Sequence, residues 1–203
     1  MRIIIYIVAS LLLAGCVTNP VNRHTAYRYA EQAENYARQG DWLNAQEGYR
    51  RAIINAKIGG FKEKDLSVLW YQYGRASGVI CDWAESEKGF NKANELDRKN
   101  GNPTYKNLNE QGQMNFDRKD YLKAVKAFEL AHAEIEETQI PVQYPISYAL
   151  LLNNYADALE ATNNKNKAKS YRKAADEIYK KNPGTNKNIR RTTPYGSQCK
   201  TAP

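Results

Sequence analysis

The stretch RKDYLKAVKAFELAHAEI, residues 118–135, decides the fold of this chain. Tyr121 is followed seven residues later by Phe128, and Ala131 comes three residues after that. Spacings of three, four and seven residues place side chains on one face of an α-helix. The stretch therefore predicts an amphipathic helix whose buried face alternates large aromatic residues with small ones.

The same pattern recurs along the chain. Two further stretches carry an aromatic residue, a second aromatic seven residues later and an alanine three residues beyond it: Trp42, Tyr49 and Ala52, then Trp83, Phe90 and Ala93. A fourth stretch, residues 163–178, is weaker, because Lys165 stands at the first aromatic position and Tyr171 comes one place early. Such self-similarity indicates a repeat architecture.

A second helix is predicted just upstream of each stretch. Trp70-x-x-x-Gly74 precedes the second and Leu108-x-x-x-Gly112 precedes the third. Small residues at helical spacing let two helices approach closely. Alternating β-branched runs are few, so a sheet is poorly supported. Gly59-Gly60 marks the break after the first unit, and Pro141 and Pro145 bracket the break before the fourth.

These helix pairs resemble the tetratricopeptide repeat. The resemblance covers residues 25–181 in about four repeats and implies an all-α fold, a right-handed superhelix of antiparallel helix pairs. The sequence departs from the family pattern at Cys81, which stands where the turn usually has glycine. The repeats are also longer than the usual ~34 residues, so helices or connections must be extended.

The amino terminus predicts a lipid anchor. Residues 3–13 form an apolar run too short to span a bilayer, which takes ~20 residues, but typical of a signal peptide. Leu13-Ala14-Gly15-Cys16 resembles the lipobox of bacterial lipoproteins. The resemblance implies removal of residues 1–15 and acylation of Cys16, and Val17 favours the outer membrane. Residues 16–24 are then predicted to be a linker. The alternative is an ordinary secretory signal, or an uncleaved anchor, with Cys16 incidental.

Cys81 and Cys199 remain once Cys16 is assigned to the lipid. An even pair in an oxidising compartment favours a disulfide. The bridge would tie the carboxyl terminus to the second repeat. A buried thiol at Cys81 and a free thiol at Cys199 is the alternative that the sequence leaves open.

The resemblance also implies where a partner binds, since the first helix of each repeat lines the concave face in this family. The positions predicted to face a partner are Tyr27, Glu34, Arg38, Tyr71, Arg75, Asn109, Gln113, Phe116, Asn153, Asp157 and Glu160. Tyr and Arg are enriched at binding hot spots. The alternative is that several of them make contacts inside the solenoid or are simply solvated. Four of these positions lack the Asn with which some members clamp a carboxyl-terminal carboxylate, so chaperone tails are not expected partners.

The net charge of +8 comes mostly from residues 182–203 and from the two lysines just before them, Lys180 and Lys181. Residues 178–203 contain no acidic residue and six basic ones: Lys180, Lys181, Lys187, Arg190, Arg191 and Lys200. The polar composition, rich in Pro and Gly, predicts a flexible tail. Its basic residues favour contact with anionic lipid or envelope polymer, or else plain solvation. Nucleic acid is not an expected partner of an exported lipoprotein.

No catalytic pattern stands out. His24 and His132 are far apart and neither has metal-ligand spacing, so no metal or cofactor is expected. A Cys81–His132 nucleophile pair is the remaining catalytic alternative. The sequence therefore predicts a non-enzymatic, lipid-anchored scaffold of the bacterial cell envelope, facing the periplasm, that binds a protein and no small-molecule substrate. The alternative is a lipoprotein that binds anionic polymer through its tail.

Overall fold

The computed structural model describes residues 19–183 and 193–199. The predicted signal peptide, Cys16 and four tail residues (Lys187, Arg190, Arg191 and Lys200) lie outside the described residues. The helices are α1 (Pro20–Arg38), α2 (Trp42–Ile58), α3 (Glu63–Val79), α4 (Trp83–Lys99), α5 (Tyr105–Asp117), α6 (Tyr121–Glu136), α7 (Ile140–Gln143), α8 (Pro145–Ala161) and α9 (Lys165–Lys181).

The helices pack as four consecutive pairs, α1–α2, α3–α4, α5–α6 and α8–α9. Neighbouring pairs stack through α2 on α3, α4 on α5 and α6 on α8, so each pair contacts the next in chain order. The described residues contain no β-strand. This confirms the predicted all-α fold, a superhelix of helix pairs like that of tetratricopeptide repeats. Within the same residues, no helix is both long and apolar enough to cross a membrane.

All four pairs are closed by the same turn. The second residue after the first helix has positive φ in each case: Gly40 (78°), Cys81 (65°), Lys119 (67°) and Asn163 (63°). The next residue then donates its N–H back to the helix, as Asp82 does to the Ser77 carbonyl at 2.9 Å. Such a left-handed residue is the usual carboxyl-terminal stop of a helix. Aspartates that follow three of these turns cap the second helix, with Asp41 accepting from the Asn44 N–H at 3.2 Å.

The core lies between the helices of each pair, where small residues permit close approach. A Cβ placed on Gly89 would lie 2.7 Å from the Gly74 Cα, so α3 and α4 nearly touch at their backbones. Phe90, Phe128 and Tyr155 are almost completely buried beside such contacts. The aromatic and small positions of the repeated pattern therefore form the interior, which matches the periodicity of the sequence.

The predicted linker is shorter than residues 16–24. Helix α1 begins at Pro20, because the Asn19 side chain accepts hydrogen bonds from the N–H groups of Val21 and Asn22. Asn followed by Pro is a strong helix start, since proline's fixed φ suits the first helical position. Residues 20–24 thus belong to the first repeat, and the linker prediction is wrong for them.

Candidate functional site

Residues 193–199, here called the C-terminal segment, pack against the end of α3. The Gly196 N–H donates to the Gly78 carbonyl at 3.1 Å, and the Gln198 N–H donates to the Val79 carbonyl at 3.0 Å. A disulfide joins Cys199 to Cys81, with 5.0 Å between their Cα atoms. The segment contacts α3 and α5, two of the first helices of the pairs (α1, α3, α5 and α8), whose common surface is here called the inner face. The Gly78 carbonyl also accepts from the Cys81 N–H at 3.3 Å, so the segment adds a second donor there.

A buried polar junction holds the segment from the other side. Glu110, on α5, accepts hydrogen bonds from the Thr193 hydroxyl at 3.0 Å and the Tyr195 hydroxyl at 2.5 Å. Arg75, on α3, donates to the Thr193 hydroxyl at 2.9 Å and lies 3.8 Å from the same Glu110 carboxylate. The Glu110 side chain is only 7 % exposed and that of Arg75 21 %. A buried carboxylate is tolerated only when charge and donors satisfy it, and the segment supplies two of the donors.

The Tyr195 ring completes the packing. It lies in a core cluster with Val79, Phe90 and Met114. A Cβ on Gly78 would come within 2.6 Å of the ring, so the ring sits flush on the α3 backbone. Burial and then the adjacent Glu110 raise the pKa of Tyr195 well above its ordinary value. The phenol therefore stays protonated and acts as a hydrogen-bond donor.

These contacts correct the prediction of a flexible tail for residues 193–199. The disulfide, the backbone hydrogen bonds and the packing of the Tyr195 ring supply nonlocal partners that the composition of the segment does not reveal.

Lys180 and Lys181 belong to the last turn of α9, where basic side chains interact favourably with the helix dipole. Lys180 and Lys181 are thus helical, although both remain exposed to solvent.

Three of the predicted groove residues come together at this site. Arg75 forms the junction, and its guanidinium lies 5.8 Å from the Tyr71 ring centre. Burial raises the pKa of Tyr71 above its ordinary range. Asn109, one turn before Gln113 on α5, lines the open pocket beside the junction. Its Oδ1 atom is buried and has no hydrogen-bond partner among the described residues.

Other predicted residues lie elsewhere on the first helices. Tyr27 is half exposed and its ring centre lies 4.8 Å from that of Phe61. Glu34 and Arg38 form an exposed pair at 3.9 Å on α1. Asn153 is partly exposed on α8. The structure therefore spreads these positions along the inner face and does not gather them into the junction.

Four predicted groove residues serve the solenoid itself. Gln113 is 3 % exposed, so it is not accessible to a partner. Phe116 packs with its ring centre 5.2 Å from that of Tyr121. Asp157 and Glu160 both pair with Arg172 of α9 at 2.7 Å. These are contacts inside the solenoid, which was the alternative that the sequence left open.

Sequence reasoning missed Glu110, Thr193 and Tyr195. One signal was present, because a bridge between Cys81 and Cys199 requires the residues just before Cys199 to lie near the end of α3. Glu110 lies one turn before the predicted Gln113, on the same side of α5. No local pattern, however, distinguishes an acidic residue that meets the tail from one that faces solvent.

An open pocket adjoins the junction and is here called the inner pocket. It has a volume of about 380 Å³ and is bounded by α3, α5, α6, α7 and α8. Tyr71 and Glu110 line both this pocket and the seat of the C-terminal segment. The inner face thus carries an occupied half and an open half that share a wall.

The catalytic alternative of a Cys81–His132 pair is wrong. Cys81 is bridged to Cys199. His132 instead lies on α6, with its Nε2 atom 3.1 Å from the Tyr148 hydroxyl and its Nδ1 atom 3.4 Å from Glu136. Within the two described ranges, no group of three or more His, Cys, Asp or Glu side chains is arranged to hold a metal ion.

No protein-family model matches the chain, and no curated protein matches it in sequence. Among solved structures it is similar to BtubC (BKLC) from P. vanneervenii, with a TM-score of 0.73 and 19 % sequence identity. The match covers 82 % of this chain and 68 % of that one. At this identity the similarity shows a shared helical-repeat fold and carries no statement about function.

Proposed function

We propose that this protein is a non-enzymatic scaffold of the bacterial envelope that binds a protein partner on its inner face. One observation carries the proposal: the inner face already holds a length of polypeptide, the C-terminal segment. The first helices bind that segment through backbone carbonyls of α3, the buried Arg75–Glu110 pair and the core cluster that holds the Tyr195 ring. A partner chain would use the open half of the same face.

The helical-repeat fold supports this role. Solenoids expose long surfaces whose contacts repeat from pair to pair, and such surfaces suit extended partners. The predicted lipidation of Cys16 would keep the scaffold at the outer membrane, on the periplasmic side. A disulfide between Cys81 and Cys199 fits an oxidising compartment. By resemblance, candidate tasks are secretion, pilus assembly or envelope assembly.

The anchor is tested by Cys16→Ser in cells. The variant should move from the membrane fraction to the soluble periplasmic fraction. A salt wash provides the control, because it removes proteins held by charge alone and leaves acylated ones. A Cys16→Ser protein that stays on washed membranes would rule out the lipid anchor.

Partner binding is tested by photo-crosslinking in cells with the full chain. The reactive residue is placed at Ser147, which is exposed beside the inner pocket, or at Lys92, which is exposed on α4. A discrete protein adduct from the Ser147 position and none from the Lys92 position supports the scaffold. The absence of any protein adduct from the Ser147 position contradicts it.

The alternative, a tail that binds anionic polymer, needs a different probe. Deleting everything after Asn182 would also remove the C-terminal segment and leave Glu110 without two donors. Replacing Arg190 and Arg191 by Gln removes charge and keeps the segment. Adducts from a reactive residue at Lys187 to lipid or lipopolysaccharide, lost in this variant, would favour the alternative.

A further inference from the structure

The inner pocket contains a wall that the repeat pattern does not supply. Between α6 and α8 the chain inserts the helical turn α7, and Ile140 from this turn lines the pocket together with Tyr144. Helix α7 packs on both α6 and α8. Without this insertion, the groove between α5 and α8 would have no side wall.

The insertion is rigidly built. Thr138 accepts the Ile140 N–H at 3.1 Å through its hydroxyl, and Tyr144 donates its N–H to the Ile140 carbonyl at 2.8 Å. Pro141 stands in the first turn of α7 and Pro145 begins α8. Proline fixes φ, so the wall is preorganised and little conformational entropy is lost when something packs against it.

The far side of the pocket is also fixed. Thr104 donates its N–H and its hydroxyl to the two carboxylate oxygens of Glu134, at 2.7 and 2.9 Å. This contact ties the start of α5 to α6 and thereby positions Tyr105. The pocket floor is aliphatic, since buried Ile135 and Leu151 lie there. An aliphatic floor between tyrosine walls suits an apolar side chain.

The polar groups of the pocket point to a peptide. Asn109 lines the pocket with a partly exposed side chain that makes no hydrogen bond to any described residue, and a peptide backbone supplies the donor and the acceptor that an amide takes. Glu110 is already engaged by Arg75 and the C-terminal segment. Exposed Lys106 lines the pocket and forms no ion pair with any described residue, so its ammonium group is available to an acidic group of a partner.

We infer that the inner pocket binds an extended partner segment that inserts a branched aliphatic or aromatic side chain beside an acidic residue. The apolar side chain lies between Ile140 and Leu151, the backbone forms a hydrogen bond with the Asn109 amide, and the acidic group pairs with Lys106. The occupied half of the inner face continues into this site through Tyr71 and Glu110, so polypeptide is the ligand class already seen there. This inference deepens the proposed function and rests on it.

The direct test pans a random peptide library, displayed on phage, against the purified chain with its disulfide intact. Enriched peptides should carry the apolar–acidic pair. Ile140→Ser should weaken their binding at least tenfold, since the lost contact is one aliphatic side chain. Ile58→Ser makes the same change at an exposed position outside the pocket and should leave binding unchanged.

Lys106→Glu is the second variant. Because Lys106 lies on the surface, the substitution should leave folding unchanged. It should weaken the binding of acidic peptides about tenfold and leave the binding of a neutral analogue of the same peptide unchanged. The inference is overturned if no peptide is enriched, if enriched peptides bind Ile140→Ser as well as the original chain, or if their selected sequences lack the pair.

The cellular crosslink separates this inference from the proposed function. If the Ser147-position adduct forms and survives Ile140→Ser undiminished, the scaffold proposal stands and the pocket inference fails. If no protein adduct forms in the original background, the scaffold proposal itself fails. Loss of the adduct in Ile140→Ser, with retention in Ile58→Ser, supports both.

Discussion

The hydroxyl of Tyr195 donates to the carboxylate of Glu110 at 2.5 Å, across 85 positions of the chain. Both side chains are buried. This contact closes the C-terminal segment onto the inner face and satisfies a carboxylate that would otherwise depend on the Thr193 hydroxyl at 3.0 Å and on Arg75 at 3.8 Å. The relationship makes the chain's own carboxyl terminus a structural part of the second and third repeats.

Tyr195→Phe should lower the free energy of unfolding by about 1–3 kcal/mol, because it keeps the ring and leaves a buried charged acceptor short of a donor. Urea denaturation measures the change. Tyr144→Phe, at an exposed tyrosine, is the matched control and should stay within about 0.5 kcal/mol of the original chain. Equal losses from both variants would mean that the Glu110 hydrogen bond contributes nothing specific.

Cys199→Ser should cost about 2–4 kcal/mol, since the bridge closes a loop with a sequence separation of 118. Hydrogen exchange should accelerate at the Gly196 and Gln198 amides, whose acceptors lie on α3. Cys81→Gly breaks the same bridge but removes a side chain from a left-handed position. It should therefore cost about 1 kcal/mol less than Cys199→Ser. The reverse order would show that the turn at Cys81 carries no strain.

Lys119→Gly should stabilise the protein by about 0.5–1 kcal/mol. Its φ of 67° costs a residue other than glycine ~1–2 kcal/mol, and glycine removes this cost. Part of the gain is cancelled, because glycine has more conformational freedom in the unfolded chain. Asn163→Gly is the comparison at the equivalent turn and should gain less, because asparagine tolerates this conformation. Thermal melts measure both. A lower melting temperature for Lys119→Gly would contradict the strain argument.

His132 should make stability depend on pH below neutrality. Burial, assisted by Lys167, lowers the pKa of His132, and Glu136 opposes the shift. The unfolded chain, with a histidine pKa of ~6.5, then binds more protons than the folded one. Stability should be complete above pH ~7 and fall as the pH drops through ~6.5 toward the folded pKa.

The check is the difference in unfolding free energy between neutral and mildly acid solution. His132→Gln should shrink that difference. Glu136→Gln should enlarge it, because the carboxylate that favours protonated His132 is gone. A pH dependence that neither variant alters would assign it to other groups.

The repeat pattern was predictable because its causes are local. The aromatic and alanine positions of residues 118–135 set the buried face of α6, and Phe128 and Ala131 are indeed buried. Gly40 and its counterpart Cys81, which stands where the turn of the repeat usually has glycine, both take positive φ. The prolines at 141 and 145 marked a break between helices. They did not reveal that a helical turn would form there and line one side of the inner pocket.

The binding surface was only partly predictable. Mapping by helix position found Arg75 and Asn109, which lie at the junction and the inner pocket. The same mapping placed Gln113 and Asp157 toward a partner, whereas one is buried and the other pairs with Arg172. The position of a residue on its helix fixes the direction of its side chain. Whether that side chain is exposed to solvent depends on how the neighbouring helices pack.

The sequence by itself determined the helix pairs, their order and their buried faces, because periodicity acts over a few residues and each pair must cover its own apolar surface. The two cysteines favoured a bridge to the second repeat, but only the tertiary structure decided that the C-terminal segment lies on the inner face and meets Glu110. That placement depends on Cys81, Glu110 and Tyr195 meeting from three distant parts of the chain, and contacts of such separation leave no period in the sequence.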